Sequence, residues 1–384
     1  MVYDVVLFGA TGFTGRLTAE YLARHAPGGC RWALAGRNRA KLEDVRAGLG
    51  PDFAQLPLLH ADVTDPASLQ AVASSTKVVI TTVGPYVRYG EPLVAACAEA
   101  GTDYVDLCGE PEFTDLMYVR HHARAAETGA RLVHACGFDS IPHDLGVYYT
   151  VKQLPDDAPI RVRGQLRLGA AFSGGTYASA LGAASRLLPM LRAARERRKV
   201  QHEPAGRRVR AVTGTPRRDG ETGHWLVPLP TIDPQIVVAS ARELPAYGPD
   251  FAYSHYAAVK HLPVLAGGLA GVGAAVALAQ LPPVRTALGN LRKPGEGPSE
   301  QRRAKSWFAV RFTGDGGGKR VVTEVSGGDP GYDETAKMLA ESALCLALDD
   351  LPTRAGQLSP AAAMGDALLT RLTNAGMVFR TLPA

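Results

Sequence analysis

Residues 5–24 most constrain how this chain folds. An apolar run, Val5-Val6-Leu7-Phe8, leads into Gly9-Ala10-Thr11-Gly12-Phe13-Thr14-Gly15, and Arg16 to Arg24 reads as a helix. Strand, glycine turn and helix, in that order, make a dinucleotide-binding motif credible. One glycine permits the tight turn, one lets the backbone approach a pyrophosphate, and one lets helix and strand pack closely. Free N–H groups at the helix start then face the phosphates, aided by the helix dipole. The spacing is G-x-x-G-x-x-G rather than G-x-G-x-x-G. Gly9, Thr11, Gly12, Phe13, Thr14 and Gly15 are therefore expected to contact a dinucleotide. The bland alternative is a glycine-rich strand–helix turn.

A second strand, Arg31 to Ala35, ends in Gly36-Arg37-Asn38-Arg39. An NAD site usually has an acid here for the ribose 2′-hydroxyl, whereas Gly36 and Arg37 suit a 2′-phosphate, which an arginine fork pairs well. NADP(H) is the expected cofactor, against the reading of a solvated basic turn. Asp62 either borders the adenine pocket or caps the helix starting near Pro66. Val83, Gly84 and Pro85 follow another strand and are expected on the cofactor path.

From residue 1 to about 148 apolar runs alternate with helical segments, which predicts a Rossmann-type, doubly wound parallel sheet. Ligands on such a sheet sit outside the carboxyl ends of the strands. Beyond it, Ile160, Val162, Leu166 and Leu168 alternate with polar residues, as do Phe308, Val310 and Phe312 and then Val321, Thr323 and Val325. This predicts a second α+β domain over 149–354 on a mostly antiparallel sheet. Helices are expected over Tyr177–Lys199, Phe251–Leu281 and Tyr332–Asp349, and a last helix near 361–373, within 355–384, returns to the first domain.

With 384 residues and a net charge of +5, the chain is large enough for two domains and too mildly basic to argue for nucleic acid. Its five cysteines are scattered and never form C-x-x-C, so neither a disulfide nor a metal is expected. No secretory signal is read at the N-terminus, and the expected location is the cytoplasm.

Two segments stand out. Arg192 to Arg210 holds eight Lys and Arg residues against Glu196 and Glu203. It is either a solvated helix end or a landing site for an acidic partner, an acyl carrier protein or an anionic membrane surface. Val264 to Leu281 carries no charge and includes Gly267 and Gly271 in G-x-x-x-G spacing. Its Gly and Ala content gives too little drive for a membrane span, so a buried or homodimer-packing helix is expected, with lipid contact as the alternative.

Several stretches resemble the saccharopine dehydrogenase-like oxidoreductases: Val83-Gly84-Pro85-Tyr86, Gly101-Thr102-Asp103-Tyr104-Val105-Asp106 and Gly109-Glu110. Gly137-Phe138-Asp139-Ser140-Ile141-Pro142, followed by Asp144, is similar to the branch holding the bacterial trans-acting enoyl reductases, as are Gly331–Met338 and Ala363–Leu368. The resemblance implies an NADP-type fold with an inserted second domain, and reduction of a hydrophobic enoyl thioester in lipid or polyketide assembly. True saccharopine-forming enzymes continue the Asp139 region into Pro-Gly, whereas this chain has Ser140-Ile141-Pro142, so an amino-acid substrate is not expected. Reduction of an imine or carbonyl, or a silent NADP-binding protein associated with lipid, are the other readings.

Enoyl reduction needs a donor to the thioester oxygen and a proton for the α-carbon. Tyr86 is the candidate donor, its alternative role being packing beneath the cofactor. Asp139, Ser140 and His143 are candidates to orient the nicotinamide amide or relay a proton, and Asp139 alternatively caps the following helix. Tyr177, after Ser173-Gly174-Gly175-Thr176, is a further candidate proton donor.

Overall fold

The computed structural model describes residues 1–169, 186–260 and 298–383. The chain first runs through β1 (Tyr3–Phe8), α1 (Phe13–His25), β2 (Trp32–Gly36), α2 (Arg39–Gly48), β3 (Leu58–His60), α3 (Pro66–Ser75), β4 (Thr76–Thr81), α4 (Tyr86–Tyr89), α5 (Glu91–Ala100), β5 (Asp103–Asp106), α6 (Pro111–Thr128), β6 (Arg131–Val133) and α7 (Ile141–Val151). It continues through β7 (Ile160–Leu168), α8 (Leu187–Val200), β8 (Arg208–Ala211), β9 (Arg217–Arg218), β10 (Trp225–Pro228), α9 (Asp233–Glu243) and β11 (Asp250–Val259). Beyond residue 298 come β12 (Phe308–Gly316), β13 (Lys319–Gly327), α10 (Asp333–Leu348), β14 (Gly356–Leu358), α11 (Pro360–Asn374) and β15 (Val378–Leu382).

The first sheet is parallel, in the order β14-β6-β5-β4-β1-β2-β3. β1 is apolar on both faces because both are covered. Val5 and Leu7 join a core with Leu22 of α1 and Leu344 of α10. Val6 and Phe8 join the opposite core with Val72, Val94 and Phe113. Local signals set the helix ends: the Asp65 side chain accepts from Ala67 and Ser68 N–H at the start of α3, and Asn38 accepts from Lys41 N–H at the start of α2. Gly101 and Gly129 close α5 and α6 in the left-handed conformation. Asp62 is thus not the cap of α3; it accepts instead from the N–H and hydroxyl of Thr64.

The second sheet is mixed, in the order β15-β13-β12-β7-β11-β10-β9, with β8 also on β11. Antiparallel pairs dominate, but β11 runs parallel to both β7 and β8. The helix expected from Phe251 is not there: Asp250–Val259 is strand β11, with Phe251 opposite Ile160. Its run of aromatic residues, Phe251, Tyr253 and Tyr256, suits a sheet buried on both sides, and sheet pairing outweighs the helical reading. The rest of the expected helix, with Gly267 and Gly271, lies outside the described residues, as does the start of the one expected from Tyr177. Among the described residues no helix is long and apolar enough to cross a membrane.

The chain comes back to the parallel sheet before residue 355. α10 packs on α1 and against β1, β4 and β5, and β14 then extends that sheet beside β6. The core around Val5 and Leu7 continues through Leu145 of α7 to Phe312 and Val325 of the second sheet. α7 therefore joins the two sheets, and the loop before it carries the Asp139 region.

Candidate active site at the strand ends

The residues after β1 form a cradle. Gly9 has φ +89°, a conformation side chains rarely adopt. A Cβ on Gly15 would stand 2.2 Å from the Gly9 carbonyl oxygen, so only glycine lets α1 start so close to β1. At Gly12 the space is open, the nearest atom to an added Cβ being the Gly9 oxygen at 3.5 Å. No side chain caps α1, and its first turn has no acidic residue. Its first N–H groups thus face an opening that glycine leaves clear, which fits a bound pyrophosphate. Phe13 sits beside it, in edge contact with Tyr332 at 4.8 Å and under the Arg303 guanidinium.

The residues expected to meet a 2′-phosphate follow β2. Arg37 is exposed just past Gly36, the last residue of β2. Arg39 is drawn off to Glu43 at 3.1 Å. Asp62 lies past β3 and is held below the usual carboxylate range, first by the Thr64 N–H and also by Arg37.

Past β4, Gly84 and Pro85 are exposed, while Tyr86 is buried. The Tyr86 hydroxyl donates to the Thr81 carbonyl and accepts from Leu107 N–H, each at 3.1 Å. The Glu110 carboxylate accepts from the N–H groups of Tyr86 and Val87 at 3.0 and 2.9 Å, which fixes the turn. Tyr86 therefore has no free proton to give: its hydroxyl bridges two backbone groups.

Asp106 organises the next two loops. Its carboxylate accepts from the Tyr104 hydroxyl, Cys108 N–H and Ala135 N–H, and lies 2.7 Å from His134 Nδ1. Ala135, held this way, takes φ +59°, rare for a residue with a side chain. The loop from Gly137 follows. Its Phe138 N–H donates to Thr335 Oγ1 at 3.1 Å, so two of the stretches that carry the family resemblance meet. Asp144 reaches the first turn of α11, the helix that carries the third: it accepts from Ala361 N–H at 2.8 Å, and also from the Ser240 hydroxyl of α9 at 2.5 Å.

Asp139 is part-exposed between Gly109 and Gly137, and its Oδ1 is 3.4 Å from where a Gly109 Cβ would stand. Burial first, then the neighbouring Asp233, Asp106 and Glu110 carboxylates, push its carboxyl up to about 8. Neither Asp139 nor Ser140 caps α7 with its side chain, and Ser140 Oγ is buried without a partner. His143 turns away from this opening toward Asp233, at 2.7 Å. Asp233 and His255 carried no signal in the sequence, since nothing in their spacing ties them to residue 143. Tyr177 lies outside the described residues.

The chain is similar to known proteins in sequence and in fold. Residues 5–133 match the family model of the saccharopine dehydrogenase NADP binding domain. A trans-acting enoyl reductase of Mycobacterium bovis (strain BCG / Pasteur 1173P2) is 38% identical, over 99% of this chain and 97% of that protein. A Mycobacterium tuberculosis relative, provisionally named for the same activity, is 41% identical over the same shares.

The chain belongs to the saccharopine dehydrogenase-like oxidoreductases, in the trans-acting enoyl reductase branch.

It is an NADP-dependent oxidoreductase. The saccharopine dehydrogenase (L-Glu forming) of Saccharomyces cerevisiae shares the fold, with a TM-score of 0.57 at 13% identity over 99% of both chains. Two surface clefts near Arg371, lined by residues of α1, α10 and α11, include no strand-end residue.

Proposed function

We propose that this oxidoreductase reduces the C=C bond of a hydrophobic enoyl thioester, with Asp139 as the proton donor. The observation that carries the reading is a carboxyl group raised to about 8, part-exposed at the strand ends in the loop after β6. At neutral pH it holds a proton that an ordinary aspartate has lost. The names of the 38–41% identical relatives support the C=C substrate.

Bound NADPH supplies the hydride for the β-carbon. As the C=C electrons shift, the α-carbon takes its proton from the Asp139 carboxyl, and the carboxylate left behind regains one from water. Gly9, Gly12 and Gly15 hold the pyrophosphate, Arg37 holds the 2′-phosphate, and Glu110 and Tyr86 keep the Gly84-Pro85 turn in place. The Ser140 hydroxyl, buried and unpartnered, is available to an amide or carbonyl at the same loop. Carrier-bound delivery fits α8, where Leu187, Leu188 and Leu191 are exposed beside Arg192, Arg195, Arg198 and Lys199. Basic and apolar groups together suit an acidic carrier protein.

NADPH oxidation with medium-chain 2-enoyl thioesters tests the reading, with ketones and imines in parallel. Turnover with the thioesters is expected, and Asp139→Asn should cut it about 10²–10⁴-fold with NADPH binding kept. Turnover on ketones or imines alone would replace the C=C assignment. No turnover on any of them, with binding to liposomes, would make this an NADP-binding protein of lipid surfaces.

A further inference from the structure

His143, Asp233 and His255 come from α7, α9 and β11 and meet where α9 packs on the other two. Their side chains are 2%, 5% and 1% exposed. His143 Nδ1 lies 2.7 Å from Asp233 Oδ1, and His255 Nε2 lies 3.6 Å from Asp233 Oδ2. These approaches are not aligned hydrogen bonds. Both ring nitrogens of His143, Oδ1 of Asp233 and Nε2 of His255 are buried without a hydrogen-bond partner. Unpartnered buried polar atoms are few in folded proteins. Here four of them fall in one cluster, with one atom from each residue within 4.8 Å of the others.

We propose that His143, Asp233 and His255 bind one divalent transition-metal ion of the zinc class. Zinc takes nitrogen and oxygen ligands at about 2.0–2.1 Å, which sets tetrahedral ligand atoms about 3.3 Å apart. The observed 2.7 and 3.6 Å, to the two Asp233 oxygens, lie to either side of that spacing, and one ligand atom from each residue lies within 4.8 Å of the others, so modest side-chain adjustment admits the ion. Two imidazoles and one carboxylate favour zinc or a neighbouring transition metal over magnesium or calcium. The outer nitrogen of His255 is already held, Nδ1 lying 3.0 Å from the Tyr253 hydroxyl, as ligating histidines usually are. The ion would clamp the first turn of α7, just past Asp139, to the second sheet.

The test uses the tag-free full chain, stripped with chelator, dialysed against zinc chloride and desalted. Mass spectrometry of the metal is expected to find about one zinc ion per chain. Zinc should raise the midpoint of thermal unfolding, and magnesium should do neither. His255→Gln and Asp233→Asn should lose the zinc, with circular dichroism and NADPH titration reporting whether each variant is folded. If stripped wild type neither retains zinc nor shifts its unfolding midpoint, the assignment is wrong, and the three residues are a buried His–Asp–His cluster that holds no metal. That wild-type result needs no variant to fold, and it is separate from the outcome of the thioester assay.

Discussion

Tyr86 opens α4 and Leu107 follows β5, and the Tyr86 hydroxyl accepts the Leu107 N–H at 3.1 Å. The same hydroxyl donates to Thr81, so one side chain links the ends of β4 and β5. Tyr86→Phe leaves a buried N–H and a carbonyl short of partners, at a cost of about 1–3 kcal/mol. The expected result is a lower unfolding midpoint in urea with turnover changed only a few-fold. A fall of about 10²-fold or more in turnover, with unchanged stability, would return Tyr86 to the role of donor to the thioester oxygen.

On the proposed reading, Arg37 sets the cofactor preference. It is exposed and directly follows Gly36, the last residue of β2, where no acidic side chain ends the strand. Arg37→Ala should weaken NADPH binding by about 1.5–3 kcal/mol, the range for hydrogen bonds to charged groups, and leave NADH binding unchanged. Calorimetric titration with both nucleotides measures the difference. Equal losses for the two would remove Arg37 from the 2′-phosphate.

How much of this is legible in the sequence follows from the range of the forces. The Gly9–Gly15 turn and the strands after it are readable, because their signals lie within a few residues: a run buried on both faces, a glycine at positive φ and a close approach at Gly15. β11 is not, because what makes it a strand is β7, about ninety residues earlier in the chain, and local pattern alone does not separate Phe251–Val259 from a helix. The use of the Tyr86 hydroxyl, and the meeting of His143 with Asp233 and His255, are likewise tertiary events with no local mark. The three separated stretches that carry the branch resemblance show no reason in the sequence to occur together. Phe138 bonded to Thr335, and Asp144 bonded to Ala361 at the start of the helix that holds Ala363–Leu368, supply it.

Gly12 and Gly15 should respond differently to the same methyl group. At Gly12 an added Cβ meets only the Gly9 oxygen, at 3.5 Å, and projects into the opening. Gly12→Ala should fold as wild type and bind NADPH more weakly. At Gly15 the Cβ would be 2.2 Å from the Gly9 oxygen and 2.9 Å from Ala10 Cα, so α1 or β1 must move. Overpacking of this kind costs roughly 1–3 kcal/mol. Gly15→Ala should therefore lower the unfolding midpoint as well as the affinity. If both variants bind NADPH like wild type, the cradle is not the pyrophosphate site.

The titration of Asp139 acts on stability and on activity in adjacent pH windows. Its carboxyl is raised from 3.8 to about 8, by burial first and then by Asp233, Asp106 and Glu110. Between those values the unfolded chain has released the proton and the folded chain still holds it. Stability therefore falls as pH rises through this window, by at most about 1.4 kcal/mol per unit, and the slope ends above the folded value. Activity responds where that slope ends. The acid is present up to about 8, and above it turnover should drop roughly tenfold per pH unit. Asp139→Asn has no proton to lose, so its stability should decline less than wild type between pH 5 and 8, and its residual turnover should lack the alkaline fall. Urea unfolding and NADPH oxidation across pH 5–10, both on chelator-treated protein, measure the two curves. If the variant and wild type show parallel stability slopes, Asp139 does not hold the proton, and the acid must be sought elsewhere in the loop that begins at Gly137.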